Sequence, residues 1–289
     1  LPAVLLGYSL TFPSDEVTTL SLPRILLLSH ALLAIVAVAL SSVAGGAEQA
    51  DRDLVGKVLD ASGTRAALDR LPALARAQAQ ADQGVQALPE DQRKRVEDAF
   101  VAAFAPAAMY KTMSDELLKR FDAESFQGYL EAYRSPLAQQ FVKLDLRLME
   151  PAVWKDKEAF VKALAPERLT EPRGALLKEL DDATMASAPE AQASLRNLAG
   201  RLERQPGETE PAHADRVRRL RENAYTAAQN RYVATRLFAY QGVADGELEK
   251  YVRLNQQEPV SQVSRAIAMA SLVAMLESLD RLAAALRGG

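Results

Sequence analysis

Beyond residue 50 the apolar positions return every three or four residues, the spacing of helices that bury one face, and no stretch alternates as a half-buried strand does. The pattern predicts an all-α protein built as a multi-helix bundle. Asp51 to Asp60 reads as a first helix that Gly63 stops. Thr64 is expected to cap a second, which carries Ala67, Leu68, Leu71, Leu74 and Ala75 on one side and bends at Pro72. Pro89 opens the next helix, where Glu90 and Asp91 suit the positive dipole end; Val96, Phe100, Phe104 and Ala107 form its expected buried stripe, kinked at Pro106. Ser114 is expected to start a short helix with Leu117, Leu118 and Phe121, and Asp122 to restart the chain into Phe126, Tyr129, Leu130 and Tyr133. Ser135 then suits a cap and Pro136 the first position of a long helix through Phe141, Leu144, Leu148 and Trp154 to Leu164, bent at Pro151.

A second set of helices follows in similar order: Pro172 to Thr184, Pro189 to Arg204, a long helix to about Tyr240, a short one from Asp245 and a last one from Pro259 to Leu286. Lys57 and Asp60 recur as Lys178 and Asp181, and Phe126, Tyr129 and Pro136 recur as Leu248, Tyr251 and Pro259. The spacing stays near 121 to 123 residues, but identities are few, so one undivided bundle and two tandem related units both stay open. On the second reading the first helical unit covers residues 48–166 and the second 167–289.

The first 47 residues read as a leader that includes a signal peptide. Arg24 precedes an apolar run from Ile25 to Val43, then come small residues at Ala44 and Ala47 and a charged start at Glu48. Cleavage is expected after Ala44 or Ala47, with Ala47 favoured, and translation is expected to start near Leu22 because Asp15 and Glu16 do not suit the positive leading segment of a signal. The alternative is an uncleaved leader anchoring the chain to the inner membrane, since the run approaches the ~20 apolar residues a bilayer-spanning helix needs. Cleavage leaves no stable membrane span and implies a periplasmic protein.

Composition narrows the chemistry. With 48% hydrophobic and 25% charged residues the chain is of ordinary globular type. It contains no cysteine, which removes disulfides, thiolate nucleophiles and thiolate metal sites. The histidines are His30, inside the leader, and His213. Loss of the leader takes Asp15, Glu16 and Arg24 with it and moves the formal charge from −3 to −2, so global charge gives no reason to expect nucleic acid as a partner.

Residues Met113-Ser-Asp-Glu-Leu117 and Gly128-Tyr-Leu-Glu-Ala-Tyr-Arg-Ser-Pro-Leu-Ala-Gln-Gln-Phe141 resemble the exported bacterial family catalogued as domain of unknown function 2059. An aromatic-rich helix, Ser-Pro, a small residue and a second helix recur in that family. Tyr133, Ser135 and Pro136 match, while Ala138 stands where the family usually has glycine. The resemblance implies a helical, exported protein and brings no catalytic residues with it.

Several side-chain groups invite a chemical reading. Asp181 with Asp182, or Glu247 with Glu249, offers paired carboxylates of the kind a glycosidase uses, but adjacent residues do not share a helix face, so solvated positions near helix ends are expected. His213 stands alone without a Gly-x-Ser-x-Gly elbow, which argues against a serine hydrolase. Arg216, Arg218, Arg219 and Arg221, with Arg231 and Arg236 on the same helix, can meet an anionic glycan or lipid headgroup; Asp215 and Glu222 flank them, and a solvated, self-compensating face is expected. Tyr129 with Tyr133 and Phe100 with Phe104, each four apart, read as core stripes that can also wall a cleft. No catalytic, cofactor-binding or metal-binding residue is assigned. The expectation is a non-catalytic binding or accessory component of the bacterial envelope, partnered by another envelope protein or a cell-wall component; the alternative is a carboxylate-dependent hydrolase of cell-envelope polymer.

Overall fold

The computed structural model describes residues 49–120, 123–198 and 202–287; the leader and its cleavage sites lie outside them. Among the described residues every regular element is helical, and the protein is an all-α multi-helix bundle. In chain order the helices are α1 (Gln49–Ala61), α2 (Thr64–Ala81), α3 (Gln83–Gln86), α4 (Glu90–Ala103), α5 (Pro106–Leu118), α6 (Ala123–Tyr133), α7 (Pro136–Arg147) and α8 (Pro151–Ala163). A 3-10 turn at Pro166–Leu169 leads to α9 (Pro172–Thr184), α10 (Ala188–Asn197), α11 (Glu210–Ala239), α12 (Asp245–Gln256) and α13 (Val260–Arg287).

Proline explains most boundaries. It lacks the N–H that a helix interior needs, and its fixed φ suits the first turn. Pro106 and Pro151, read in the sequence as kinks, instead begin new helices, so each long helix expected there is two shorter ones. Pro72 is the exception, and α2 runs on through it to Ala81. Ser114 does not start a helix: it lies buried within α5. Thr64 does not cap α2 either. Gly63, at φ 72°, both ends α1 and holds the cap position, leaving the Thr64 hydroxyl to pair with Ser62 Oγ at 2.7 Å. A side chain is excluded at Gly63 twice over, since a Cβ would also sit 2.6 Å from Val142 Cγ1. Ser135 caps α7 as expected, its Oγ accepting the Ala138 N–H at 3.2 Å. Of the stripe expected on α4 and beyond, Phe104 is buried, Val96 and Phe100 are half-buried, and Ala107 is exposed because the break before Pro106 turns it outward.

One continuous apolar core joins the N- and C-terminal halves. Helix α1 packs on α6 in the first half and α9 on α12 in the second. Three elements cross between the halves: α7 packs on α11 and α12, α8 packs on α11, and α13 lies over α4, α5 and α6 as well as α9 and α10. Phe126, Tyr129, Phe141 and Tyr240 are all fully buried along this seam, and each such side chain contributes on the order of 2 kcal/mol through burial. Small residues on α13, among them Ala266, Ala270 and Ala274, let it lie close to its neighbours. No single helix among the described residues is long and apolar enough to cross a membrane; α12 and α13 pass that test only together, across an 82° bend, and half of α13's apolar positions are already buried in the core.

Candidate functional site

Charged and polar residues interrupt three of the buried stripes, and they meet in one place. On α7 the stripe reads Phe141, Asp145, Leu148; on α11 it reads Tyr232, Arg236, Tyr240; on α12 it reads Leu248, Tyr251, Asn255. Helical i, i+4 spacing aims each polar group inward with its neighbours. Asp145 and Arg236 line a partly open cavity of about 120 Å³ between the two halves, walled by Tyr129, Tyr133, Tyr232, Tyr240 and Tyr251, and Asn255 holds the Tyr133 hydroxyl from outside that lining.

Arg236 is the central charge and is only 3% exposed. Its Nη2 donates to Asp145 Oδ2 at 3.2 Å, and its Nε lies 2.9 Å from Oδ1 in an ion contact. Tyr240 donates its hydroxyl hydrogen to the same Oδ1 at 2.7 Å. The guanidinium carbon stands 4.7 Å over the Tyr232 ring, a cation–π arrangement. Burial works against the arginine's charge, but the Asp145 carboxylate and the surrounding tyrosine oxygens outweigh it and hold the group cationic. Arg236 and Ser264 both line the cavity, but Arg236 Nη1 and Ser264 Oγ are themselves sealed from its space; Nη1 has no aligned hydrogen bond, and Ser264 Oγ lies against the Tyr129 and Tyr133 phenols.

The tyrosines form a rigid lining. Tyr129 and Tyr133 stack with centroids 4.2 Å apart, and Phe141 stacks on Tyr251 at 4.0 Å. Tyr133 donates to Asn255 Oδ1 at 2.7 Å, and Asn255 Nδ2 donates to the Tyr251 carbonyl at 2.9 Å. Burial raises the Tyr129, Tyr133, Tyr232, Tyr240 and Tyr251 phenols above their ordinary value, so all five remain neutral at physiological pH.

A second polar cluster lies beyond the cavity. Asp181, 3% exposed, accepts the Ser187 N–H at 2.7 Å and its hydroxyl at 2.6 Å, which ties the start of α10 to α9. Glu190 pairs with Arg231. Burial raises both carboxyls above their usual range, against the hydrogen bonds and the arginine that lower them.

The residues singled out by sequence are dispersed. Asp181 is buried rather than solvated, because it caps α10 from within the core, while Asp182 is exposed and accepts from Gln229 at 3.0 Å. Glu247 and Glu249 are both exposed on α12. His213 sits near Arg216 and Glu208, at 3.1 and 3.3 Å, and does not line the cavity. The basic cluster does not form one face. Arg216 is held by both Glu208 oxygens at 2.8 Å, Arg218 pairs with Asp215 at 3.0 Å and reaches Glu222 at 3.6 Å, and Arg236 leaves the surface altogether because α11 runs from solvent into the core. The hydrogen bonds from Arg216, with the Gln205 backbone N–H, bring the Glu208 carboxyl down to about 2. Tyr129 and Tyr133 are core residues that also wall the cavity.

Sequence reading missed Asp145, Tyr232, Tyr240, Asn255 and Ser264, and passed over the position of Arg236. The available signal was a charged or amide residue on an otherwise apolar stripe, which burial tolerates only when it is partnered. Among the described residues, no three His, Cys, Asp or Glu side chains converge as metal ligands would. No protein-family model, curated protein or solved structure matches the chain.

Proposed function

We propose that this protein is a non-catalytic binding component of the bacterial envelope, exported by the leader that ends near Ala47, and that the tyrosine-walled cavity is its receptor site. The observation that carries this reading is the state of the cavity's charges. Arg236 and Asp145 neutralise each other, and Tyr240 is spent on the same carboxylate, so among the described residues lining the cavity no free base faces a nucleophile. Asp181 and Glu190 are likewise engaged, by Ser187 and Arg231.

Duplication of a helical unit fits the same picture. The equivalent helix pairs, α1 with α6 and α9 with α12, pack alike. A bond between Tyr133 and Asn255 spans 122 positions, the repeat spacing, and residues that meet their own equivalents are what an internal two-fold relation produces. The receptor cavity then lies on the axis between two related halves.

Intact mass of the envelope-fraction protein, followed by crosslinking in living cells, tests the proposal. A chain beginning near Glu48 with crosslinks to another envelope component is expected. A chain that retains its leader, or that crosslinks only to itself, overturns the reading; so does release of fragments from peptidoglycan by the purified protein.

A further inference from the structure

An occupant of the cavity meets only what the lining leaves within reach. Three polar side chains of that lining are half-buried: Ser62, Asp145 and Thr184. None of them has a hydrogen to give. Ser62 donates to the Leu59 carbonyl at 3.1 Å and Thr184 to the Leu180 carbonyl at 2.8 Å, while the Asp145 carboxylate only accepts. Ser62 Oγ is further occupied by Thr64 Oγ1 at 2.7 Å, which leaves the open lone pairs on Thr184 Oγ1 and on Asp145 Oδ2. Among the described residues Oδ2 takes the 3.2 Å bond from Arg236 Nη2, and a carboxylate oxygen has room for a second donor. The reachable polar side chains therefore call for a ligand group that donates.

Charge sharpens that demand. Asp145 and Arg236 form a dipole with its negative end uncovered, since the aspartate side chain is 25% exposed and the arginine side chain 4%. An entering anion would meet Asp145 first, and its desolvation would go uncompensated. An entering cation meets the same carboxylate as a partner, and the tyrosine rings around it turn electron-rich faces to a positive charge. An ammonium group has both properties: it is cationic, and its three hydrogens only donate. Volume sets the size. A cavity of about 150 Å³ admits benzene, so the 120 Å³ here admits an ammonium group with about three carbons behind it, and the partly open mouth leaves room for the rest of a longer molecule.

We propose that the cavity receives the ammonium end of an aminoalkyl group, which donates to Asp145 and Thr184 and lays its methylenes against the tyrosine rings. This assignment rests on reading the protein as a binder. The test uses the purified full chain with isotope-labelled tyrosine rings, titrated by NMR at neutral pH and constant ionic strength with propylammonium chloride and, separately, with 1-propanol and sodium propionate. Saturable shifts of Tyr232 and Tyr240 are expected with propylammonium, with half-saturation by the alcohol and by the carboxylate at least about fivefold weaker. Thr184→Val, which keeps the shape and removes the hydroxyl, should raise the propylammonium half-saturation about tenfold, the loss of one hydrogen bond to a charged group. Asp145→Leu with Arg236→Met removes the dipole as a unit and should abolish the preference for propylammonium over 1-propanol. Tyr110 and Tyr225, which do not line the cavity, report that each variant stays folded. Shifts that never saturate, propanol or propionate binding as tight as propylammonium, or saturation unchanged in folded Thr184→Val overturns the proposal. Flat titrations without peptidoglycan turnover remove the ammonium assignment and leave the binder reading intact, whereas turnover removes the binder reading whatever the titrations show.

Discussion

Tyr133 on α6 donates its hydroxyl hydrogen to Asn255 Oδ1 on α12 at 2.7 Å, a side-chain bond that crosses from one half of the bundle to the other. Asn255 is 0% exposed, so no water can replace the tyrosine if it is lost. Tyr133→Phe is expected to cost about 1–3 kcal/mol, the penalty of a buried acceptor left unmet. Adding Asn255→Leu to that variant should recover part of the loss by removing the orphaned amide. Urea unfolding of the two single variants and the double variant measures both effects.

Gly128 lets α6 lie close against Pro259, in the turn before α13. A Cβ there would lie 2.7 Å from Pro259 Cγ. In an isolated helix Gly→Ala stabilises by roughly 1 kcal/mol, but the overlap with a ring that cannot swing away reverses the sign. Gly128→Ala is therefore expected to destabilise by about 1–3 kcal/mol, read as a lower melting temperature; an unchanged or higher one contradicts the packing.

Asp145→Asn should be far more damaging than its exposure implies. The carboxylate side chain is 25% exposed, but its partner Arg236 is 4% exposed and would keep its charge with nothing to balance it. Breaking one side of such a pair costs about 3–5 kcal/mol. Replacing both residues, as in Asp145→Leu with Arg236→Met, is expected to be much milder than either change alone, and chemical denaturation of the three variants provides the comparison.

The Asp181 carboxyl has a definite pH signature. Burial raises its folded value above the usual 3.8, so the fold prefers the protonated acid. The stabilisation from that preference is complete below about pH 4 and is lost as pH rises through the raised value. Relative to Asp181→Asn, the wild-type chain should thus lose stability as pH rises from about 4 through the raised value. A difference that stays level, or that grows with pH, would contradict the burial of this group.

Much of the fold is legible in the chain because helix boundaries are set locally. Ser135 and Pro136 mark the start of α7, and Pro172 the start of α9, through capping and a fixed φ that need no distant partner. Pro106 and Pro151 were harder, since the same ring either bends a helix or begins one, and the choice depends on what the preceding turn packs against. Almost nothing of the cavity is local. Asp145 and Arg236 are 91 positions apart, and each alone looks like a surface charge on an amphipathic helix. Only the apolar residues flanking each of them marked the stripe as buried, and only the tertiary arrangement shows that the two charges answer each other.

Helix α11 is thirty residues long, yet all its buried side chains lie from Ala224 onward. The four turns before that residue bury no side chain in the core; among the described residues, Arg216 clasps Glu208 there and Arg204 pairs with Glu210. Two regimes of cohesion thus share one unbroken rod: an inner segment that can open only when the whole bundle does, and an outer segment free to fray on its own. Arg236 belongs to the inner one, so the cavity keeps its shape even while the far end of the same helix comes apart.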